Sequence, residues 1–220
     1  MIAIISDVHA NLRALLTVME DILGKGIERI IFLGDAVGYG QQPNECLEIL
    51  KMCEEFIAGN HDWAAIGLIS TEGFNADARE SIETTKKIFN SANYQFLKTR
   101  KLIKYMKKDN ICIVHATPRA PQAWMYLTSL EEAKYEFGYF DEQICFIGHS
   151  HVPFIIEQST RSGKTKYCSE FVKLAKGKRY IVNVGSVGQP RDKDGKATYA
   201  IATNKSVEIV RVAFSSGRHV

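Results

Sequence analysis

An α/β fold is the class this sequence predicts, and three observations predict it. Short apolar runs at Met1–Ile5, Arg29–Leu33 and Phe56–Ala58 alternate with segments of helical spacing, the pattern of a parallel sheet with helical crossovers. Beyond Gln143 the chain becomes a succession of strand-like runs separated by turn residues, which points to antiparallel pairing. Polar residues able to bind metal follow one apolar run after another, as expected where strands deliver side chains to a sheet edge.

Each element has a local cause. Met1–Ile5 is apolar without alternation, so it reads as a strand buried on both faces. Asn11 is placed to cap a helix whose Leu12, Leu15, Leu16, Met19, Ile22 and Leu23 recur at helical spacing, with Gly24 ending it. Pro43 suits the first position of a second helix, which should run to about Cys53 and bury Cys46, Leu47 and Leu50. From Asp62 to about Arg100 the chain reads as helical, with breaks near Gly73 and Asn93. Lys107–Asn110 is a turn between Leu102–Met106 and Ile111–Val114, a hairpin signal. Ser129 begins a short helix through Phe137. Strands are expected at Ile144–Ile147, Val152–Gln158, Tyr167–Leu174, Tyr180–Val184, Thr198–Thr203 and Val207–Phe214, with hairpin turns at Arg161–Lys164 and Asp192–Gly195. Without a repeat or a linker, residues 1–214 read as one domain and 215–220 as a flexible tail.

Composition narrows the function classes. Of 220 residues, 45% are hydrophobic and 24% charged, ordinary values for a globular chain. A net charge of +3 is too mild for a dedicated nucleic-acid binder. No run approaches the roughly 18 apolar residues of a membrane span. Met1–Ile5 lacks the basic flank and cleavage site of a signal peptide. The five cysteines are odd in number, scattered and without a CxxC pair, so reduced thiols and a cytoplasmic location are expected. The oligomeric state, monomer or homo-oligomer, is left open.

The chemistry sits at the strand ends. Asp7 and His9 follow the first strand, Asp35 the second, and Asn60, His61 and Asp62 the third. His115 follows Ile111–Val114, and His149 and His151 follow Ile144–Ile147. Glycines before Asp35, Asn60 and His149 permit sharp turns. If the backbone stays extended after Gly148, His149 and His151 point to the same side. Asp7, His9, Asp35, Asn60, His115, His149 and His151 make seven potential ligands, more than one ion needs. The mix of carboxylate, amide and imidazole suits Mn²⁺, Fe, Co, Ni or Zn²⁺ better than Ca²⁺ or Mg²⁺. Two ions with only two carboxylates leave a positive site, which favours an anionic substrate such as a phosphate ester.

These motifs, together with Ser6–Leu12, Gly34–Gly40 and Asn183–Arg191, closely resemble the calcineurin-like metallophosphoesterases, and most of all their small bacterial and archaeal phosphodiesterase branch. The resemblance implies a four-layer α-β-β-α sandwich with two mixed β-sheets. It implies that Asp7, His9 and His151 bind one metal, that Asn60, His115 and His149 bind the other, and that Asp35 bridges them. Manganese is the first choice, with iron, zinc, nickel or cobalt as alternatives. It further implies in-line attack on phosphorus by a hydroxide held between the metals. His61 would be catalytic, protonating the leaving oxygen as general acid or stabilising the transition state. Phosphomonoesterase, dinucleoside polyphosphate hydrolase, nuclease and non-catalytic scaffold are the other readings. Gly38 and Tyr39 stand where the protein Ser/Thr phosphatases carry aspartate and arginine, which argues against that branch.

Secondary candidates lie nearby. Asn11 either contacts bound phosphate or only caps its helix. Arg119, four residues past His115, is a candidate for holding a phosphate oxygen, and Arg191 a weaker one. Tyr39, Trp124 and Tyr126 either stack on an aromatic group of the substrate or serve packing. Asp62 is a candidate for orienting an imidazole.

Overall fold

The computed structural model describes residues 1–214; the tail expected at 215–220 lies outside the described residues. The opening is β-α-β-α-β as expected: β1 (Ile2–Ile5), α1 (Leu12–Gly24), β2 (Arg29–Phe32), α2 (Pro43–Leu50) and β3 (Glu55–Phe56). Next come α3 (Asn60–Ala65), α4 (Ala76–Ile88) and α5 (Ser91–Lys98). The hairpin of β4 (Ile103–Met106) and β5 (Ile111–Val114) precedes α6 (Leu130–Glu136). The remaining strands are β6 (Ile144–Ile147), β7 (Phe154–Ser159), β8 (Thr165–Cys168), β9 (Phe171–Lys173), β10 (Lys178–Asn183), β11 (Ala197–Ala202) and β12 (Ser206–Val212).

Two mixed six-stranded sheets result, ordered β3-β2-β1-β11-β12-β9 and β4-β5-β6-β10-β7-β8. They pack face to face, and the strand period of two explains how. Ile2 and Ile4 of β1 point into a core between the sheets, where they join Ile113, Phe146, Tyr180 and Val182. Ala3 and Ile5 point the other way, onto Leu15, Val18 and Ile22 of α1 and Leu47 of α2. Cys145 and Ile147 of β6 likewise turn outward, onto Ala133 and Phe137. With both faces covered, β1 and β6 need an apolar side chain at every position, which is why neither alternates.

Several elements depart from expectation. In α1 the buried stripe is Ala14, Leu15, Val18 and Ile22, whereas Leu16 and Leu23 are exposed. The second helix stops at Leu50, and the third begins at Asn60, two residues early, because the Asp62 carboxylate accepts the Gly59 N–H and closes its first turn. The later break falls at Phe89–Asn90, where Asn90 caps α5 through Asn93 N–H. Tyr167–Leu174 is not one strand. It divides at Ser169–Glu170 into β8 on one sheet and β9 on the other. Nor is Asp192–Gly195 a hairpin turn: β10 pairs with β6 and β7, β11 with β1 and β12, so the connection crosses between sheets.

The crossing places the site. β1, β2 and β3 run parallel in one sheet, and β5, β6 and β10 run parallel in the other. The carboxyl ends of the two sets meet at one rim of the sandwich.

Candidate metal centre

The loop after β1 holds Asp7 and His9, and that after β2 holds Asp35. Asn60 and His61 open α3. The turns after β5 and β6 supply His115, His149 and His151. All of them are buried or nearly so. Three groups of side chains converge there with ligand atoms within 4.8 Å: Asp7, His9 and His151; His9, Asp35 and His61; and Asp35, His115 and His149. Asp35 belongs to two of these groups and so lies between the imidazoles of His9 and His115. Its Oδ2 is 3.8 Å from His9 Nε2 and 3.3 Å from His115 Nε2.

Four imidazoles share one device. His9 Nδ1 donates to Val37 O at 3.0 Å, His115 Nδ1 to Leu33 O at 2.9 Å, and His151 Nδ1 to Gln189 O at 2.7 Å. His149 uses the other nitrogen, donating Nε2–H to Trp124 O at 2.9 Å. A carbonyl can only accept, so each contact fixes which nitrogen carries the hydrogen. The remaining nitrogen is free to ligate. Facing one another at 3.0 Å, His9 Nε2 and His151 Nε2 bring two lone pairs together unless a cation or proton lies between them. Asp7 Oδ1, Asn60 Oδ1 and His115 Nε2 are buried with no hydrogen-bond partner. A carboxylate oxygen, an amide oxygen and an imidazole nitrogen left without partners at this rim fit divalent metal ions, with a donor set of transition-metal type.

The electrostatics agree. Burial pushes His9 well below its ordinary pKa and His149 down to about 4, so both are neutral with a lone pair to offer. His115 behaves oppositely. Burial disfavours its charge, but Asp35 and Asp7 outweigh burial and raise it to about 9, so a proton occupies its inner nitrogen when no metal does. Against the same burial, His151 and His115 hold Asp7 far below the usual carboxylate range, and His115 and His61 do so for Asp35.

The backbone is bent to make this arrangement. Nine non-glycine residues among those described have positive φ, and eight surround the site: Asp7, His9, Ala10, Asp35, Tyr39, Trp124, His149 and His151. Such strain costs of order 1–3 kcal/mol per residue and collects at functional sites. It corrects one expectation. The chain is not extended after Gly148; His149 (φ 67) and His151 (φ 60) are both left-handed, and Ser150 N–H folds back to Gly148 O at 2.8 Å. The two imidazoles reach different groups through these bends rather than along a strand. Gly148 is required because a Cβ there would overlap Ser6 Oγ and press on Asp7 Oδ2.

Three other candidates fall elsewhere. Arg119 turns away, its Nε 3.4 Å from Glu136 Oε1 and its N–H bonded to Glu136 Oε2. Both polar ends of Asn11 are taken, Oδ1 by Ala14 N–H at 3.1 Å and Nδ2 by Gly188 O at 2.9 Å, so capping accounts for it. Asp62 orients no imidazole. Its carboxylate accepts the backbone N–H groups of Asp35, Ala36 and Gly59, each at 2.9 Å, and ties the β2 and β3 loops together.

A cavity of about 610 Å³ opens over the centre, lined by Asp35, Asn60, His61, His149 and His151, and walled by Tyr39, Phe74, Trp124, Tyr126 and Arg191. Sequence reasoning missed Phe74 and undervalued Arg191. It also missed the roles of Asn183, the last residue of β10, and of Ser186 in the loop that follows. Asn183 Nδ2 holds Gly148 O at 2.7 Å, and Ser186 Oγ holds Asp7 O at 2.8 Å. The carbonyls that orient the histidines carry no sequence signal at all.

Comparison with known proteins decides the family. The family model for the calcineurin-like phosphoesterase superfamily domain matches residues 1–206. The chain belongs to the calcineurin-like phosphoesterases. This phosphoesterase is 37% identical to a metallophosphoesterase from Sphaerobacter thermophilus whose crystal structure superposes with a TM-score of 0.83, covering 97% of this chain and 88% of that one. It is 40% identical over 219 residues to an uncharacterized protein of Methanocaldococcus jannaschii, covering 97% of this chain and 88% of the other. A hypothetical protein from Pyrococcus horikoshii shares the fold at 16% identity, with a TM-score of 0.72 and 98% and 90% coverage. Family membership makes the phosphoesterase a hydrolase of phosphate esters. The two mixed sheets with helices outside are the fold of these neighbours. No helix among the described residues is long and apolar enough to cross a membrane.

Proposed function

We propose that this chain is a two-metal phosphodiesterase. The observation that carries the reading is the set of four imidazoles, each spending one nitrogen on a backbone carbonyl and turning the other toward Asp7 and Asp35. Asp7, His9 and His151 would hold one divalent ion, Asn60, His115 and His149 the other, and Asp35 both, with manganese the first metal to try. When bound, the pair would neutralise charge on the phosphoryl oxygens and lower the pKa of a water toward neutrality. The protein's own part is to hold these ligands rigid and to keep the phosphorus in the cavity above them. His61 lines the cavity, and burial lowers its pKa, so its neutral ring would offer an N–H to the oxygen that gains charge as the ester bond breaks. Arg191, the guanidinium among the lining side chains, would meet the remaining anionic oxygen.

Metal analysis of the purified protein, with turnover of p-nitrophenyl phosphate and bis-p-nitrophenyl phosphate across divalent metals, tests the reading. The diester should be preferred. Asp35→Asn should lose metal and activity together. His61→Ala should retain metal while turnover drops by about 10²–10⁴-fold, the usual worth of general acid–base assistance. Wild-type turnover in His61→Ala would remove His61 from the mechanism. No turnover of either ester with any metal would favour a binding scaffold.

A further inference from the structure

The cavity is aromatic on two opposite sides. On the His9 side, Tyr39 lies 4.9 Å from His9 and 5.0 Å from His61, and Phe74 lies 4.9 Å from His61. On the His149 side, Tyr126 stacks on His149 at 4.2 Å and 16°, and Trp124 stands 6.2 Å from His115. Tyr126 is 50% exposed and lines the cavity, so part of its ring beyond the contact with His149 is available to a ligand. Catalysis does not call for these rings. A phosphomonoester has one organic group, which would leave one of the two aromatic walls uncovered. A phosphodiester has two organic groups and one negative charge. Two apolar walls, with the single guanidinium of the lining, Arg191, held 3.3 Å from the Tyr39 hydroxyl, match the diester.

We propose that the cavity takes a phosphodiester bearing a flat aromatic ring, with that ring stacked on the Trp124–Tyr126 wall and the second substituent against Tyr39 and Phe74. This rests on the phosphodiesterase reading and names its substrate class. Stacking on an aromatic side chain tolerates any flat ring. A nucleobase and a simple aryl group therefore present the same chemistry. Tyr126 and Trp124 are specificity-determining residues, and Tyr39 and Phe74 set room for the other group.

The test uses the full chain loaded with manganese. Bis-p-nitrophenyl phosphate and methyl p-nitrophenyl phosphate share a leaving group and differ in whether the second substituent is a ring. Wild type should prefer the bis ester in kcat/KM. Tyr126→Ala should cut that preference about tenfold, in the range for loss of one stacking partner, and Tyr126→Phe should restore it. Comparing variants cancels the difference in intrinsic reactivity, and metal content checks that His149 still ligates. Thymidine 5′-(p-nitrophenyl phosphate) separates the sources, since a lower KM than the bis ester assigns a nucleobase and a higher one an aryl group. A second readout needs no turnover. Both tryptophans of the chain, Trp63 and Trp124, lie 5.7 Å apart beside this wall, so the diester diphenyl phosphate should quench their fluorescence at concentrations where dimethyl phosphate does not. A preference unchanged in Tyr126→Ala with full metal content, or equal quenching by the two phosphates, overturns this inference and leaves the diesterase reading standing. Turnover of p-nitrophenyl phosphate alone overturns the diesterase reading itself.

Discussion

Asp62 shows how one side chain sets the geometry of others without touching substrate. Its two oxygens receive three backbone N–H groups from Asp35, Ala36 and Gly59, and so fix where Asp35 and Asn60 stand. Burial and the nearby Asp35 charge push its pKa up to about 7, so the hydrogen bonds work against desolvation. Asp62→Asn keeps the shape but must turn an amide N–H₂ toward at least one backbone N–H. Leaving such a buried donor unmatched costs about 1–3 kcal/mol. Urea denaturation should show that loss, and metal content should fall with it. Full stability and full metal content in Asp62→Asn would make the three contacts incidental. The same logic explains why Ala10, at φ 53, is one of the strained residues. It occupies a left-handed position beside His9 that glycine would fill without strain.

At the scale of elements, β6 does two jobs. Its alternate residues face two different cores, Phe146 between the sheets and Cys145 against α6, while its carboxyl end releases Gly148 into the bend that presents His149 and His151. Phe146 is fully buried at the centre of the inter-sheet core. Phe146→Ala should destabilise by about 3–5 kcal/mol through lost burial and the cavity left behind. Chemical denaturation measures this, and a loss under 1 kcal/mol would mean that the sheets close over the gap. The loop after β10 is the counterpart on the other side. It crosses from one sheet to the other and on the way supplies Ser186, Gln189 and Arg191 to the rim.

For the molecule as a whole, the metal centre and the fold are thermodynamically linked. Without metal, the rim holds buried carboxylates and facing lone pairs; ions binding only the folded state would stabilise it by about 2.7 kcal/mol at a hundred times the dissociation constant. His115 gives the linkage a pH dependence. Its folded pKa is raised to about 9 from 6.5, so in the stripped protein its ion pairing stabilises fully below pH 6.5 and is lost as pH rises through 9. Metal displaces that proton, so the loaded protein lacks the dependence. The difference in unfolding temperature between loaded and chelator-stripped protein should therefore widen from pH 6.5 to 9. Thermal melts across that range check it, and a gap that narrows with pH would reverse the assignment of His115.

What the sequence determined by itself was the fold class and which metal-binding residue types follow which strands. Apolar runs without alternation marked strands covered on both faces, and Asp, Asn and His placed directly after them could only gather at strand ends. The tertiary structure decided what local pattern does not encode. Tyr167–Leu174 reads as one strand because nothing at Ser169–Glu170 breaks it, yet its halves pair in different sheets, since pairing depends on partners far along the chain. Arg119 and Arg191 look alike in sequence, but Glu136 draws one away while the inter-sheet crossing carries the other to the cavity. The tautomers of four histidines rest on the carbonyls of Leu33, Val37, Trp124 and Gln189, groups that every residue has and whose direction only the folded backbone sets.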